Sequence, residues 1–464
     1  MALDVPMLQG RSGHVQSLPG LVDLVELHEH DPDRYPFLLE SAASGTPHGR
    51  FDLLFAFPQS HFHLDGRFRL HGSDADPAGD FLDHLDQRWR AESSVPGETD
   101  LPFLGGWFLM LGYELAAQVE PVLNLAGPVD QPVAFATRVP AVVTRDRTDG
   151  AVYAITEPGY EHLLPLIADD AVSAMHSTRS QSQPRIRAVT EEPAELFLES
   201  VRRAKRYIRD GDVFQTNLSR TWTGQWHDDI DASAVYRRLR QTNPAPFAGL
   251  VRWRDMTIIS SSPERLLRIG DGVVETRPIA GTRPRGATRA ADDALRSELI
   301  DHPKERAEHI MLIDLERNDL GRICAPGSVR VDEYMSLESY AHVHHIVSNV
   351  SGRLRAGVTP GQAIRAVFPG GTITGCPKVR CMEIISELEA GPRGAYTGAM
   401  GYLGRDGRLD LNILIRTLVQ HSSYFTLHAG AGIVADSQPQ HELEETRAKA
   451  RGVLAALDPE QGHG

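Results

Sequence analysis

Two acidic clusters in this sequence are spaced for joint chemistry. In PKERAEHIML (303–312), Pro303 can open a helix, and Glu305 and Glu308, three residues apart, then fall on nearly one side of it. In HELEETRAKA (441–450), Glu442, Glu445 and Lys449 again share a helical face, beside an apolar stripe of Leu443, Thr446, Ala450, Val453 and Leu457. Two solvated faces laced with ion pairs such as Glu445 with Lys449 would also account for this spacing. If the helices instead face one another, their carboxylates repel by about 4 kcal/mol per close pair at an effective dielectric of roughly 20. A hard divalent cation relieves that repulsion, and Mg2+ is the natural candidate.

Three further segments carry reactive residue types. HVHH supplies His342, His344 and His345, but it lacks the i, i+4 pairing of a zinc helix, so a single titrating histidine is the better reading. GGTITGCPK (370–378) has the glycine separation of a phosphate loop, yet Cys376 and Pro377 stand where that loop needs Lys and Ser or Thr. Proline also removes an N–H the phosphate cradle would use, so ATP binding is rejected. AGAG (429–432) reads as a tight turn, a bulge or a site of close backbone approach.

The elements that must position these residues are legible in part. STRSQSQPRIRAVTEE (177–192) is polar and reads as a linker, dividing the chain into segments 1–176 and 190–457. After it, Phe197, Val201, Ala204 and Ile208 follow helical spacing between Pro193 and Gly211. VFQTNLSR reads as a strand with Gln215, Asn217 and Ser219 on one face and Phe214 and Leu218 on the other. AYTGAMGYLG and LDLNILIRTLVQ flank the turn sequence RDGR (405–408) as a hairpin, FTLHAGAGIVA continues as a strand, and Pro439 opens a last helix. Before the linker, GRFDLLFAF, SHFHLDGRFRL and AVVTRDRTDGAVYAI look like strands and hairpins. The coarse result is an α+β chain with large antiparallel sheets.

Composition narrows the partners. The chain has 464 residues, 41% apolar and 24% charged, with a formal net charge of −14, which argues against nucleic-acid binding. An anionic substrate must then be held by a few local cations. The three cysteines, Cys324, Cys376 and Cys381, form neither a disulfide framework nor a zinc knuckle. No apolar run reaches about 18 residues and no export signal opens the sequence, so the expectation is a soluble cytoplasmic protein away from membranes.

GDVFQTNLSR (211–220), SSSPERLL (260–267), ETRPIAGTRPRG (275–286), KERAEHIMLIDLERNDLGR (304–322), GGTITGCPKVRCMEII (370–385), YTGAMGY (396–402), LNILIRTL (411–418) and HAGAGIVADS (428–437), in this order, resemble the chorismate-utilising enzyme family. The resemblance covers nearly all of residues 190–455. It implies an α/β sandwich of two subdomains, each an antiparallel sheet flanked by helices, with chorismate bound between them. It makes Glu308 and Glu445 the Mg2+ ligands, with Glu305 and Glu442 beside them. Tyr396, Arg416, Lys449 and the backbone at Gly281, Thr282, Gly430 and Gly432 match positions that bind the substrate's carboxylates. Glu264 matches the general acid, and His345 the catalytic histidine. Alternative readings are Glu264 as a surface partner of Arg265, Tyr396 as a core aromatic and His345 as a satisfied buried histidine.

Gln215 sorts the reaction types. Family members that add water to chorismate have Lys at this place, as base for the water, whereas Gln215 cannot abstract a proton and suits ammonia. The chain carries no GxCxG-type nucleophile elbow, so a separate glutamine amidotransferase subunit is implied as the source of ammonia. Ala280 in PIAGT resembles the anthranilate synthase branch, since many aminodeoxychorismate synthases carry Lys there. GRFDLL, SPERLL, ETRPIAGTRPRG and GRLDLNILIRTL resemble the aminodeoxychorismate synthase branch more closely, so 4-amino-4-deoxychorismate, on the route to p-aminobenzoate and folate, is the preferred product. LLES (38–41) resembles the element that holds tryptophan in both branches, giving Leu39, Glu40 and Ser41 as a candidate tryptophan site against the alternative of a strand packing Leu38 and Leu39. A decayed, non-catalytic module that binds tryptophan or a partner is the competing class, opposed by the intact Glu308, Glu445, His345 and Lys449.

Overall fold

The computed structural model describes residues 8–457 except 11, 12, 21, 44–48, 96, 98, 177–183, 228, 229, 341 and 342. His342 and part of the expected linker lie outside the described residues. Two large sheets dominate. In one, the order of neighbours is Leu8–Gly10, Gly13–Leu18, Val152–Thr156, Ala141–Asp146, Phe51–Ala56, Phe37–Glu40, Phe247–Trp253, Met256–Ser262, Thr417–His421, Tyr424–Ile433, Gln215–Trp226 and Ile186–Glu191. In the other it is Ile279–Pro284, Val343–Arg353, Val273–Arg277, Arg265–Gly270, Leu409–Asn412, Ala399–Gly404, Gly106–Leu111, Ala134–Val139, His61–Leu64 and Leu70–His71. Neighbouring strands pair antiparallel.

The sheets pack face to face through an aromatic layer. Phe37 of the first stacks on Phe108 of the second with ring centroids 4.3 Å apart, and Phe135 stacks on Trp253 at 4.9 Å. Helices cover the outer faces: Leu24–His30, Leu163–His176, Ala232–Thr242 and Pro439–Leu454 on the first sheet, and Phe81–Glu92, Pro303–Gly321 and Pro360–Val367 on the second. Strands covered on both sides are buried along their whole length, as Gly106–Leu111 and Ala134–Val139 are. This is the expected α+β sandwich. Among the described residues, no helix is long and apolar enough to cross a membrane.

The segments on either side of the sequence break share both sheets. Phe37–Glu40 pairs with Phe247–Trp253, and Gly106–Leu111 pairs with Ala399–Gly404, so neither sheet ends at the break. The linker reading itself needs correction, because Ile186–Glu191 is an edge strand on Gln215–Trp226. None of its side chains is fully buried and only Ile186 and Val189 pack on the core, which leaves it without the regular apolar alternation that marks a half-buried strand. Local signals elsewhere hold. Gly211 closes the helix Ala194–Asp210 at φ 87°, and Pro303 and Pro439 each occupy the first turn of their helix.

LDLNILIRTLVQ is not one strand. Leu409–Asn412 belongs to the second sheet and Thr417–His421 to the first, and the chain crosses between them at residues 413–416. A second crossing runs beside it, from Met256–Ser262 through Pro263 and Glu264 to Arg265–Gly270. The aromatic layer that holds the sheets together sets the strength of this arrangement. Phe108→Ala, which removes a fully buried ring touching Phe37 and Phe55, should cost about 3–5 kcal/mol. Urea titration should show a lowered midpoint with an unchanged m-value.

Candidate active site

A cavity of about 660 Å³ opens beside the two crossings. Its wall carries Gln215 and Asn217 from one strand, Gly432 from the next, Ala280, Gly281 and Thr282 from the edge of the second sheet, and Arg416 from the crossing. Helix Pro303–Gly321 presents Glu305 and Glu308 to the same space, and helix Pro439–Leu454 presents Glu442, Glu445 and Lys449. The two acidic helix faces therefore do meet across a common volume. Three of the four carboxylates nevertheless keep a cationic partner: Glu305 with Arg283 at 3.1 Å, Glu308 with Lys304 at 3.7 Å, and Glu445 with Lys449 at 2.7 Å. Burial raises the carboxyls of Glu308 and Glu442, and the neighbouring carboxylates add to the rise.

Among the described residues, no three His, Cys, Asp or Glu side chains gather closely enough to form a closed metal cage. The donor set is still the one Mg2+ prefers, since that ion takes hard oxygens and is usually held by one or two carboxylates together with substrate and water.

Glu264 sits in the crossing, 5% exposed, with Oε1 lacking a hydrogen-bond partner. Burial pushes its carboxyl up to about 8, with Thr372 pulling the other way and Glu316 adding to the rise. It is thus a protonated acid at neutral pH. It lies behind Pro263 and Thr372, which line the cavity. The alternative of a surface pair with Arg265 is excluded, because Arg265 is bound to Asp410 at 2.9 Å.

His345 is also buried. Its Nδ1 lies 2.9 Å from the Thr282 hydroxyl, its Nε2 has no partner, and burial reinforced by Arg416 pushes its pKa down to about 3. The ring is neutral at physiological pH. Its neighbour His344 is engaged structurally, with Ser339 at 2.7 Å and Asp292 at 2.9 Å.

Arg416 adopts left-handed backbone geometry at φ 52°, and burial lowers the pKa of its guanidinium. Gly281 has φ 75° at a bulge in its strand, where a Cβ would fall 3.0 Å from Glu305 Oε2. A side chain there would be strained and crowded. AGAG continues the strand Tyr424–Ile433, in keeping with the strand reading of FTLHAGAGIVA, and makes no turn. Its glycines serve close approach: a Cβ on Gly430 would come within 2.8 Å of the Tyr396 hydroxyl, and one on Gly432 within 2.5 Å of Gln215 Nε2. Tyr396 is buried, stacked on His428 at 5.3 Å. It and Gly430 lie behind the wall, while the Gly430 carbonyl accepts from Lys449 Nζ at 2.9 Å.

GGTITGCPK makes a short turn whose Gly375 and Cys376 pair with Thr216 and Gln215, bringing Thr372 to the cavity. Phe214 precedes the strand and is 71% exposed, so it does not share a buried face with Leu218. The sequence reading gave Thr372 and Tyr340 no role and Asn217 only a place on the polar face of its strand; all three line the cavity. Asn217 was findable, being two residues from Gln215 on the same strand face.

Leu39, Glu40 and Ser41 line a second cavity of about 450 Å³, bounded also by Phe247, Met400 and Asn412. Leu38 is buried in the core, so the strand both packs and lines. Glu40 is buried and accepts from the Tyr236 hydroxyl at 2.7 Å and from Arg240 at 3.3 Å.

The sequence pattern of the chorismate binding enzyme family matches residues 37–455. An anthranilate synthase component 1 of Synechocystis sp. is 38% identical over 463 aligned residues, covering 91% of each chain. An aminodeoxychorismate synthase component 1 of Bacillus subtilis is 50% identical over 262 residues, covering 56% of this chain and 55% of its own. The crystal structure of anthranilate synthase component I from Streptococcus pneumoniae superposes with a TM-score of 0.77 at 31% identity, covering 88% of this chain and 93% of that one. With matches over most of its length in sequence and in fold, the chain belongs to the chorismate binding enzyme family.

Proposed function

We propose that this enzyme aminates chorismate with ammonia supplied by a separate glutamine amidotransferase subunit, giving 4-amino-4-deoxychorismate. The observation that carries amination is Gln215 in the cavity wall. Its amide cannot take a proton from water, but ammonia arrives already nucleophilic. Glu264, protonated near the same wall, supplies the proton that lets the C4 hydroxyl leave as water. Arg416 and Lys449 supply positive charge for the substrate's carboxylates, and Arg416 offers the forked contact such groups favour. His345, held neutral against Thr282, is the catalytic histidine of this reading.

Glu308 and Glu445 would hold Mg2+, with Glu305 and Glu442 beside them. When bound, the ion would neutralise the ring carboxylate of chorismate, which four glutamates otherwise repel. Glu308→Gln or Glu445→Gln should lower turnover by at least about a hundredfold, in keeping with several kcal/mol of charge stabilisation. Thermal unfolding should stay close to that of the unaltered chain, and calorimetric Mg2+ binding should be lost. Full turnover in excess EDTA would sink the metal assignment.

Glu264 gives a pH signature. Its carboxyl is protonated below about pH 8 and ionised above it, so turnover at constant free ammonia should fall as pH rises through that value. The folded chain keeps this proton to about 8 whereas an ordinary glutamate releases it near 4.5, so the group costs stability increasingly as pH climbs between those values. Glu264→Gln should therefore be nearly inactive yet unfold at a higher temperature than the unaltered chain at pH 8. A variant that is both active and less stable there would refute the acid role.

For the product, GRFDLL, SPERLL, ETRPIAGTRPRG and GRLDLNILIRTL support amination at C4, while identity does not separate the branches: 50% over 262 residues to an aminodeoxychorismate synthase and 48% over 264 to an anthranilate synthase. A second reading, anthranilate, is favoured by Ala280, which faces the cavity where many C4-aminating relatives carry Lys. Chorismate, Mg2+ and ammonium should yield p-aminobenzoate only after an aminodeoxychorismate lyase is added, and glutamine should not replace ammonium for the chain alone. Fluorescent anthranilate accumulating without the lyase would decide for the second reading. The tryptophan reading attaches to the cavity at Leu39, Glu40 and Ser41.

A further inference from the structure

Gln215 and Asn217 line the large cavity, and their side-chain oxygens, Gln215 Oε1 and Asn217 Oδ1, are buried and have no hydrogen-bond donor. They come from alternate residues of the strand Gln215–Trp226, so they leave the same face with their Cα atoms roughly 7 Å apart. Their backbone is firmly held. The Asn217 N–H donates to the Thr374 carbonyl at 2.9 Å, and its carbonyl accepts from Arg393 Nη2 at 2.9 Å. The Gln215 carbonyl accepts from the Cys381 thiol at 3.0 Å. The neighbouring strand presses close through glycines: a Cβ on Gly430 would lie 2.8 Å from Asn217 Oδ1. A side chain at that position would crowd the very atom that lacks a donor.

Two acceptors without donors call for a ligand rich in N–H or O–H. The carboxylates of chorismate are acceptors themselves and are repelled here. Ammonia has three N–H donors and one lone pair, so two donated hydrogen bonds hold it while the lone pair stays free for attack. Water can also donate two, but neither amide can remove its proton, and it stays a weak nucleophile. Resting on the amination reading above, we propose that Asn217 completes the ammonia-binding site: Asn217 Oδ1 and Gln215 Oε1 each accept an N–H of the nucleophile and aim its lone pair into the cavity. Asn217 is then a determinant of which nucleophile enters, and acts alongside Gln215.

The test separates the two substrates. Asn217→Leu keeps most of the volume and removes the acceptor, and should raise KM for ammonium by about tenfold or more, the effect of one lost hydrogen bond. KM for chorismate should change by less than about twofold, because Arg416 and Lys449 are untouched. Asn217→Asp, which keeps an oxygen at the same place, should bring the ammonium KM back toward that of the unaltered chain. If Asn217→Leu proves insoluble, Asn217→Ala removes the acceptor and is read in the same way. Equal rises in both KM values, or an unchanged ammonium KM, would overturn the assignment. Should the unaltered chain itself fail to consume chorismate with ammonium, the amination reading falls and this site with it; the variants alone decide the site once that turnover is seen.

Discussion

Where the chain passes from Ser262 to Arg265 and from Asn412 to Thr417 it leaves one sheet and enters the other, and the backbone there gives up its ladder partners. Unmet backbone groups in a buried crossing would cost about 1–3 kcal/mol each. The two crossings meet this by pairing with one another. Ile413 N–H donates to the Glu264 carbonyl at 3.0 Å, Ser261 N–H to the Arg416 carbonyl at 3.2 Å, and the Ser262 hydroxyl to the Ile413 carbonyl at 2.5 Å. Ser260 and Thr417 hydroxyls close the join at 2.8 Å. Because each crossing is the other's partner, Glu264 and Arg416 cannot move independently. Both side chains are thereby fixed between layers where water is scarce, and that scarcity raises the acid's pKa and lowers the guanidinium's.

The electrostatics of the cavity follow from the same geometry. A chain of net charge −14 presents four carboxylates to the space that must take an anion, yet Arg283, Lys304 and Lys449 each neutralise one of them. Arg416 makes no such pair among the described residues, so its charge is the one left unspent. An anionic substrate meets a wall divided by sign: carboxylates on two helices, a free guanidinium at the crossing, and neutral amides on the strand. That division favours poses that set a carboxylate at Arg416 and away from the acidic helix faces.

Much of this was legible in the sequence wherever a local rule decides the outcome. Pro303, Pro439 and Gly211 mark helix ends by backbone chemistry alone, and the carboxylate spacing of two helices put their acids on common faces. What was not legible depends on partners distant in the chain. Leu409–Asn412 and Thr417–His421 have the same apolar character, and only the layering shows that they belong to different sheets. AGAG lies within a segment that reads as a strand, but the reason for its glycines was not legible. Tyr396, Asn217 and Gln215 occupy the space its missing side chains would fill. Ile186–Glu191 looks like a linker because an exposed edge strand has little apolar surface to bury.

The strand Gln215–Trp226 shows how one chemical choice can propagate. Its Gln215 and Asn217 are neutral, its Thr216 stands in register with Gly375, and a Cβ on that glycine would fall 2.2 Å from the Gln215 carbonyl. The strand is therefore held from both sides, by glycines at 375 and at 430 and 432, and its amides have little freedom to turn away from the cavity. Ala280 lines the same cavity of about 660 Å³ and, with only a methyl group, leaves a gap there. A lysine at 280 would bring a second charge and a nucleophilic amine into that gap, whereas alanine leaves the nitrogen chemistry to whatever the amides hold. On this reading the small residue at 280 and the paired acceptors at 215 and 217 are two halves of one arrangement, in which a mobile nucleophile takes the place of a tethered one.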